Sequence, residues 1–148
     1  MSGLDDGRLN ISSGSLGAAQ AALDKTVAYM GERRAFGKTL DQFQALQFRL
    51  ADMETALQSA RIFLRQAAWK LDRGDRDASK FCAMAKLHVT DRAFEVANQC
   101  LQLHGGYGYL ADYGIEKLVR DLRVHQILEG TNEIMRLIVS RTLLEGKA

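Results

Sequence analysis

The stretch His125–Arg136, "HQILEGTNEIMR", places a single carboxylate, Glu129, between an apolar dipeptide, Ile127–Leu128, and a glycine. Two kinds of chemistry suit such a residue. A carboxylate near a helix N-terminus interacts favourably with the helix dipole, and Gly130, Thr131 and Asn132 are all suitable N-cap types. The same carboxylate can also serve as a general base, since an apolar ligand closing over it sharpens its basicity. Residue types alone leave both readings open. "GERRAFGK" is basic, and its Arg33 reads either as a cation at a helix C-terminus or as a forked partner for an anion. The glycines of "HGGYGY" let backbone approach a flat or charged ligand, yet the segment equally reads as a loop between helices. It is not a dinucleotide fingerprint, because GxGxxG after a strand is absent. His88, His104 and His125 lack ligand spacing and Cys82 and Cys100 form no CxxC pair, so no metal site is expected. No Ser/His/Asp motif with a known context supports nucleophilic catalysis.

These residues need elements to hold them, and the apolar periodicity predicts helices throughout. Leu16, Ala19, Leu23, Val27 and Met30 recur at three or four, so a first helix is expected from about Ser12, fading at "GERRAFGKTL". Before it, Met1–Gly7 has no period and reads as the tail of a connection. The second helix carries Leu46, Leu50, Met53, Leu57, Ala60, Leu64, Ala67 and Leu71, close to a heptad seam suited to shallow-angle packing. "DRGDRDAS" ends it as a polar turn. A third helix is expected from Ala78 to His104, with Cys82, Ala85, Val89, Ala93, Val96, Cys100 and Leu103 as its stripe. "HGGYGYLADYG" breaks that pattern; a short helix follows over Ile115–Arg123. The last helix starts near Thr131 and presents Ile134, Leu137, Ile138 and Leu144. No strand-like alternation of useful length and no repeat is found. The expected fold is all-α: an up-down four-helix bundle with one additional short helix.

Composition narrows the function classes. The 148 residues suit one domain with a sizeable core, and 47% hydrophobic with 26% charged residues is an ordinary globular balance. The chain has no proline, which permits long helices. A net charge of +2 implies no strong electrostatic partner, so no nucleic acid is expected. No apolar run approaches the ~20 residues of a membrane span, and the N-terminus carries no signal-peptide pattern. Cys82 and Cys100, 18 residues apart on one helix, would lie ~27 Å apart and are expected as free thiols.

Four segments, "ERRAFGKTLDQFQ", "LADM", "QLHGGYGYLADYGIEKLVRD" and "HQILEGTNEIMR", together closely resemble the C-terminal helical domain of the acyl-CoA dehydrogenases, in that family's order and spacing. The resemblance covers essentially residues 1–148, and its details are most similar to the isobutyryl-CoA or short/branched-chain branch. It implies the C-terminal domain of an FAD-dependent oxidoreductase, with the family's N-terminal helical and middle β domains absent from this chain. It further implies α,β-dehydrogenation of a short or branched-chain acyl-CoA, as in fatty acid or branched-chain amino acid catabolism. Glu129, in "EGT", is then the base that removes the α-proton while a β-hydride passes to FAD.

Other roles follow by position. The resemblance puts Arg33 and Phe36 at the FAD of a neighbouring subunit, with Arg33 near the pyrophosphate. Ala35 stands where related sequences carry Thr or Gln, so only its backbone could serve there. Gln44 matches a flavin-contacting glutamine; Gln102, Gly105 and Gly106 match a loop along the adenine-ribose half; Thr131 and Glu133 flank the FAD on its other side. Gly130 matches a backbone contact to substrate, and Asp5 and Arg8, in "DDGR", match positions touching CoA. Leu128 replaces a Tyr of the medium-chain enzymes. Implied partners are the acyl-CoA, electron-transferring flavoprotein and copies of the chain itself, a homotetramer in the family. Implied localisation is cytoplasmic in a bacterium or the mitochondrial matrix in a eukaryote. The domain alone is expected to be inactive. The alternatives are a non-catalytic helical oligomerisation module and an acyl-CoA oxidase-like domain.

Overall fold

The computed structural model describes residues 2–145. Five α-helices follow in order: α1 Ser2–Glu32, α2 Gln44–Asp72, α3 Ala78–His104, α4 Ile115–His125 and α5 Asn132–Glu145. The fold is the expected all-α bundle, with α4 as the short additional helix. α3 is its centre and packs against each of the other four helices. The reason lies in its stripe: Cys82, Ala85, Val89, Ala93, Val96, Cys100 and Leu103 are all buried. The α2 seam behaves likewise, with Met53, Leu57, Ala60, Leu64 and Ala67 buried. Alanines at 60, 67, 85, 93 and 97 let backbones approach closely, so the few large side chains carry much of the packing. Fully burying one leucine contributes roughly 1.5–3 kcal/mol. Cys82 and Cys100 are buried free thiols. Burial pushes both up to about 11, so they are inert as nucleophiles at neutral pH.

The first helix begins far earlier than its apolar residues suggest. Ser2–Gly7 is helical, not the tail of a connection; Met1 lies outside the described residues, as do positions 146–148. The inward face of α1 simply turns polar: Asp5, Arg8, Ser12 and Ser15 continue the spacing of three and four and are buried. All but Arg8 Nε find partners within the chain. Arg8 pairs with Asp5, Ser12 Oγ donates to Arg8 O at 2.7 Å, and Ser15 Oγ donates to Ile11 O at 2.7 Å. The expected stripe also fails at Val27, which is 51% exposed. Thr26 is buried instead, its hydroxyl bonded to Ala22 O.

A small hairpin links α1 to α2. Arg34–Ala35 and Lys38–Thr39 pair antiparallel, joined by Phe36 (φ 50°) and Gly37 (φ 82°). Two positive φ values suit the right-handed twist of a two-residue hairpin. "HGGYGYLADYG" forms two 3₁₀ turns, Gly105–Tyr109 and Ala111–Tyr113. On α5 the expected apolar stripe faces mainly outward: Ile134, Leu137 and Leu144 are exposed, and Ile138 is half-buried. Met135 and Asn132 are the buried anchors, because α5 docks on α3 through its first turn.

Candidate functional site

α4 ends at His125, whose Nδ1 lies 2.8 Å from Ser15 Oγ on α1. Burial lowers the His125 pKa, favouring the neutral ring. The chain then turns sharply through residues 126–131 before α5. Asn132 N donates to Gln126 O at 3.0 Å and closes the turn. At its apex Glu129 has φ 57° and Gly130 has φ 88°. A left-handed glutamate costs roughly 1–2 kcal/mol, so the surrounding contacts must enforce it. Glycine suits position 130 because of its positive φ, which L side chains rarely adopt.

The Glu129 side chain is exposed, but its carboxylate lies against the α1 backbone at Gly7. A Cβ at position 7 would overlap Glu129 Oε2 and stand 2.7 Å from Cδ. Gly7 is therefore the floor on which the carboxylate rests. We expect Gly7→Ala to leave the fold intact, since alanine favours a helix, while pushing the carboxylate aside. Circular dichroism checks the fold, and a crystal structure of the variant checks the displacement of the carboxylate.

One residue below and one above that floor stand the expected CoA-contacting pair. Arg8 Nη1 donates to Asp5 Oδ1 at 2.7 Å, and the Ser79 hydroxyl donates to Asp5 Oδ2. Both are buried, and Arg8 Nε has no partner. The pair thus faces α3 and a small cleft of ~90 Å³ lined by Leu4, Ser79 and Ile138. Thr131 is the N-cap of α5, with Oγ1 3.5 Å from Ile134 N. Glu133 is exposed, and its carboxyl is lowered by its own backbone N–H and by the Thr131 hydroxyl.

Sequence reading missed Lys86. It is fully buried, and its Nζ donates to Gly130 O at 2.8 Å and to Asn132 Oδ1 at 2.7 Å. Asn132 Nδ2 donates in turn to Thr90 Oγ1 (3.0 Å) and Asp91 Oδ1 (2.7 Å), and Gln126 Nε2 reaches the same carboxylate oxygen. The signal was present: Lys86 adjoins Ala85 and lies one turn from Val89 and Cys82, on the buried face of α3.

A second group gathers at the other end of α1. Arg33, Gln102, Gly105 and Gly106 line one cavity of about 430 Å³ with Tyr29, His104 and Tyr107. The Arg33 guanidinium lies 5.0 Å from the Tyr107 ring centroid, and Tyr29 stacks on His104 at 4.3 Å. A forked cation, aromatic side chains and accessible glycine backbone suit a flat, anionic ligand. Ala35, Phe36 and Gln44 follow on the hairpin and the first turn of α2 but do not line this cavity; Phe36 is 96% exposed. From Gly7 to Arg33 the rise of α1 separates the two groups by ~39 Å.

The chain matches a family model described as acyl-CoA dehydrogenase, C-terminal domain, over residues 1–144. Mitochondrial isobutyryl-CoA dehydrogenase of Bos taurus is 51% identical over 145 residues, covering 98% of this chain and 35% of that protein. A caffeyl-CoA reductase–Etf complex subunit of Acetobacterium woodii is 41% identical over 98% of this chain and 38% of its own length. Among solved structures, butyryl-CoA dehydrogenase from Megasphaera elsdenii superposes with TM-score 0.92 at 38% identity, over 95% of this chain and 37% of that one. A structure described as PigA with FAD and proline gives TM-score 0.89 at 30% identity, over 95% of this chain and 36% of that one. The chain spans about a third of the length of the curated relatives it matches.

Proposed function

The chain belongs to the acyl-CoA dehydrogenase family through that family's C-terminal domain, and on this premise we propose that it supplies the catalytic base and part of the cofactor site of an FAD-dependent acyl-CoA dehydrogenase. The observation that carries the proposal is the Glu129 carboxylate, held on a left-handed turn against Gly7 and presented to solvent rather than consumed in a structural bond. Glu129 takes the α-proton of an acyl-CoA thioester. FAD, when bound, supplies the acceptor for the β-hydride, leaving an α,β-unsaturated thioester. Gly130 lies beside the thioester, Thr131 and Glu133 face the flavin, and Asp5 and Arg8 border the path of CoA. Arg33, Gln102, Gly105 and Gly106 hold the pyrophosphate and adenosine end, with Ala35, Phe36 and Gln44 contributing from the adjoining hairpin and helix.

The ~39 Å between the two groups supports sharing of each flavin between two copies of the chain. One dinucleotide does not reach from Gly7 to Arg33 along a single α1, so each site draws its two ends from different subunits of a homo-oligomer. The identity with isobutyryl-CoA dehydrogenase favours a short or branched acyl chain, and the mitochondrial and bacterial relatives are in keeping with a mitochondrial matrix or a bacterial cytoplasm. The Etf-complex relative favours electron-transferring flavoprotein as redox partner. Among the described residues no helix is long and apolar enough to cross a membrane.

The test is an anaerobic titration of the FAD-loaded full-length protein carrying this domain with isobutyryl-, butyryl- and octanoyl-CoA. Stoichiometric bleaching of the flavin by the four-carbon thioesters is the expected result. A flavin that stays oxidised with all three would overturn the proposal.

A further inference from the structure

Lys86 is the largest fully buried side chain among the described residues. A lysine in such a place is costly unless it is paired, because burial disfavours the charge. A methionine of similar volume would fill the space without that cost. Both of Lys86's hydrogen bonds go to one feature, the turn that carries Glu129. Nζ grips Gly130 O immediately after the glutamate, and Asn132 Oδ1 at the start of α5. Its position is also wrong for α5 itself, since a cation at a helix N-terminus opposes the dipole. It is right for an anion standing just before that helix.

We propose that Lys86 is a positioning residue for Glu129, its ammonium pinning the left-handed turn that carries the carboxylate. The proposal rests on the reading of Glu129 as the base. The bonds to Gly130 O and Asn132 Oδ1 hold the unfavourable backbone that aims Glu129 over Gly7. Burial pushes the Lys86 pKa down to about 8, opposed by Asp91 and Glu133, aided by Arg8, and opposed again by Glu129. His125 at the end of α4 also faces it and is itself lowered by it. Asp91 on α3, Glu133 on α5, Arg8 on α1, His125 on α4 and Glu129 on the turn are thus the charged and titratable groups around Lys86. At neutral pH the ammonium form prevails.

The experiment compares Lys86→Met and Lys86→Gln with the unaltered FAD-loaded full-length enzyme. Lys86→Gln keeps an amide hydrogen-bonder in the cavity and carries the test should the methionine variant not fold. Flavin reduction is followed at neutral pH, with kcat and KM measured separately. The expected result is a fall of ~10-fold or more in kcat with KM little changed. A variant that only melts earlier, with the kcat of the unaltered enzyme, would overturn the proposal. Glu129→Gln run in parallel separates the two readings. If it keeps its activity, the assignment of the base fails. If it is inactive while the folded Lys86 variant is unaffected, only the role of Lys86 fails.

Discussion

If Glu129 is the base proposed above, replacing it by glutamine in the full-length enzyme should lower acyl-CoA-dependent flavin bleaching by about four orders of magnitude, the upper range for loss of a positioned general base, with FAD still bound. Glutamine matches the shape of the carboxylate but accepts no proton at neutral pH. Glu129 makes no side-chain hydrogen bond or ion pair among the described residues, so the change breaks no structural contact. Its backbone stays in place, held by Lys86 at Gly130 O and by the Gln126–Asn132 bond. The cavity around Arg33 and Gln102 lies at the opposite end of α1 and is untouched. Stopped-flow bleaching with isobutyryl-CoA, and flavin content from absorbance, make the measurement. Bleaching within a factor of a few of the unaltered enzyme would place the base elsewhere.

Leu57→Ala destabilises the purified chain by about 2–5 kcal/mol, the range for deleting a fully buried leucine. Leu57 is 0% exposed at the middle of the α2 seam, against α3. Around it the seam is built from small residues, Ala60 and Ala67 on α2 with Ala85, Ala93 and Ala97 on α3. Closely spaced backbones cannot collapse further to fill the space, so the cavity cost should sit toward the upper end. Urea unfolding at fixed protein concentration gives the value, with concentration held because association shifts apparent stability. A loss under 1 kcal/mol would show that α2 slides inward to close the gap.

The bundle itself was legible in the residue pattern. The stripes of α2 and α3 are apolar over seven or eight successive inward positions, and burial follows such a stripe wherever a partner helix exists. The same logic misled at both ends of the chain. The first turns of α1 face inward with Asp5, Arg8, Ser12 and Ser15, which carry no hydrophobic signal and are stabilised by bonds to one another and to Ser79. The apolar side chains of α5 point outward, because a single short helix meets α3 through Asn132 and Met135 and leaves Ile134, Leu137 and Leu144 uncovered.

For the site, the sequence by itself determined the family, through four motifs in fixed order. It also singled out Glu129, Arg33 and the Gln102–Gly106 loop as candidates. Tertiary structure alone decided that Arg33 and the loop share one cavity, that Glu129 rests on Gly7 from 122 positions earlier in the chain, and that Lys86 is bonded to its turn at Gly130 O. The physical reason is range. Helical periodicity is a local property, set within a few turns, whereas a carboxylate seated on a distant glycine and a lysine bonded across 44 positions depend on how three helices cross. A lysine read in isolation belongs on the surface; only the crossing of α1, α3 and α5 turns it into a buried cation.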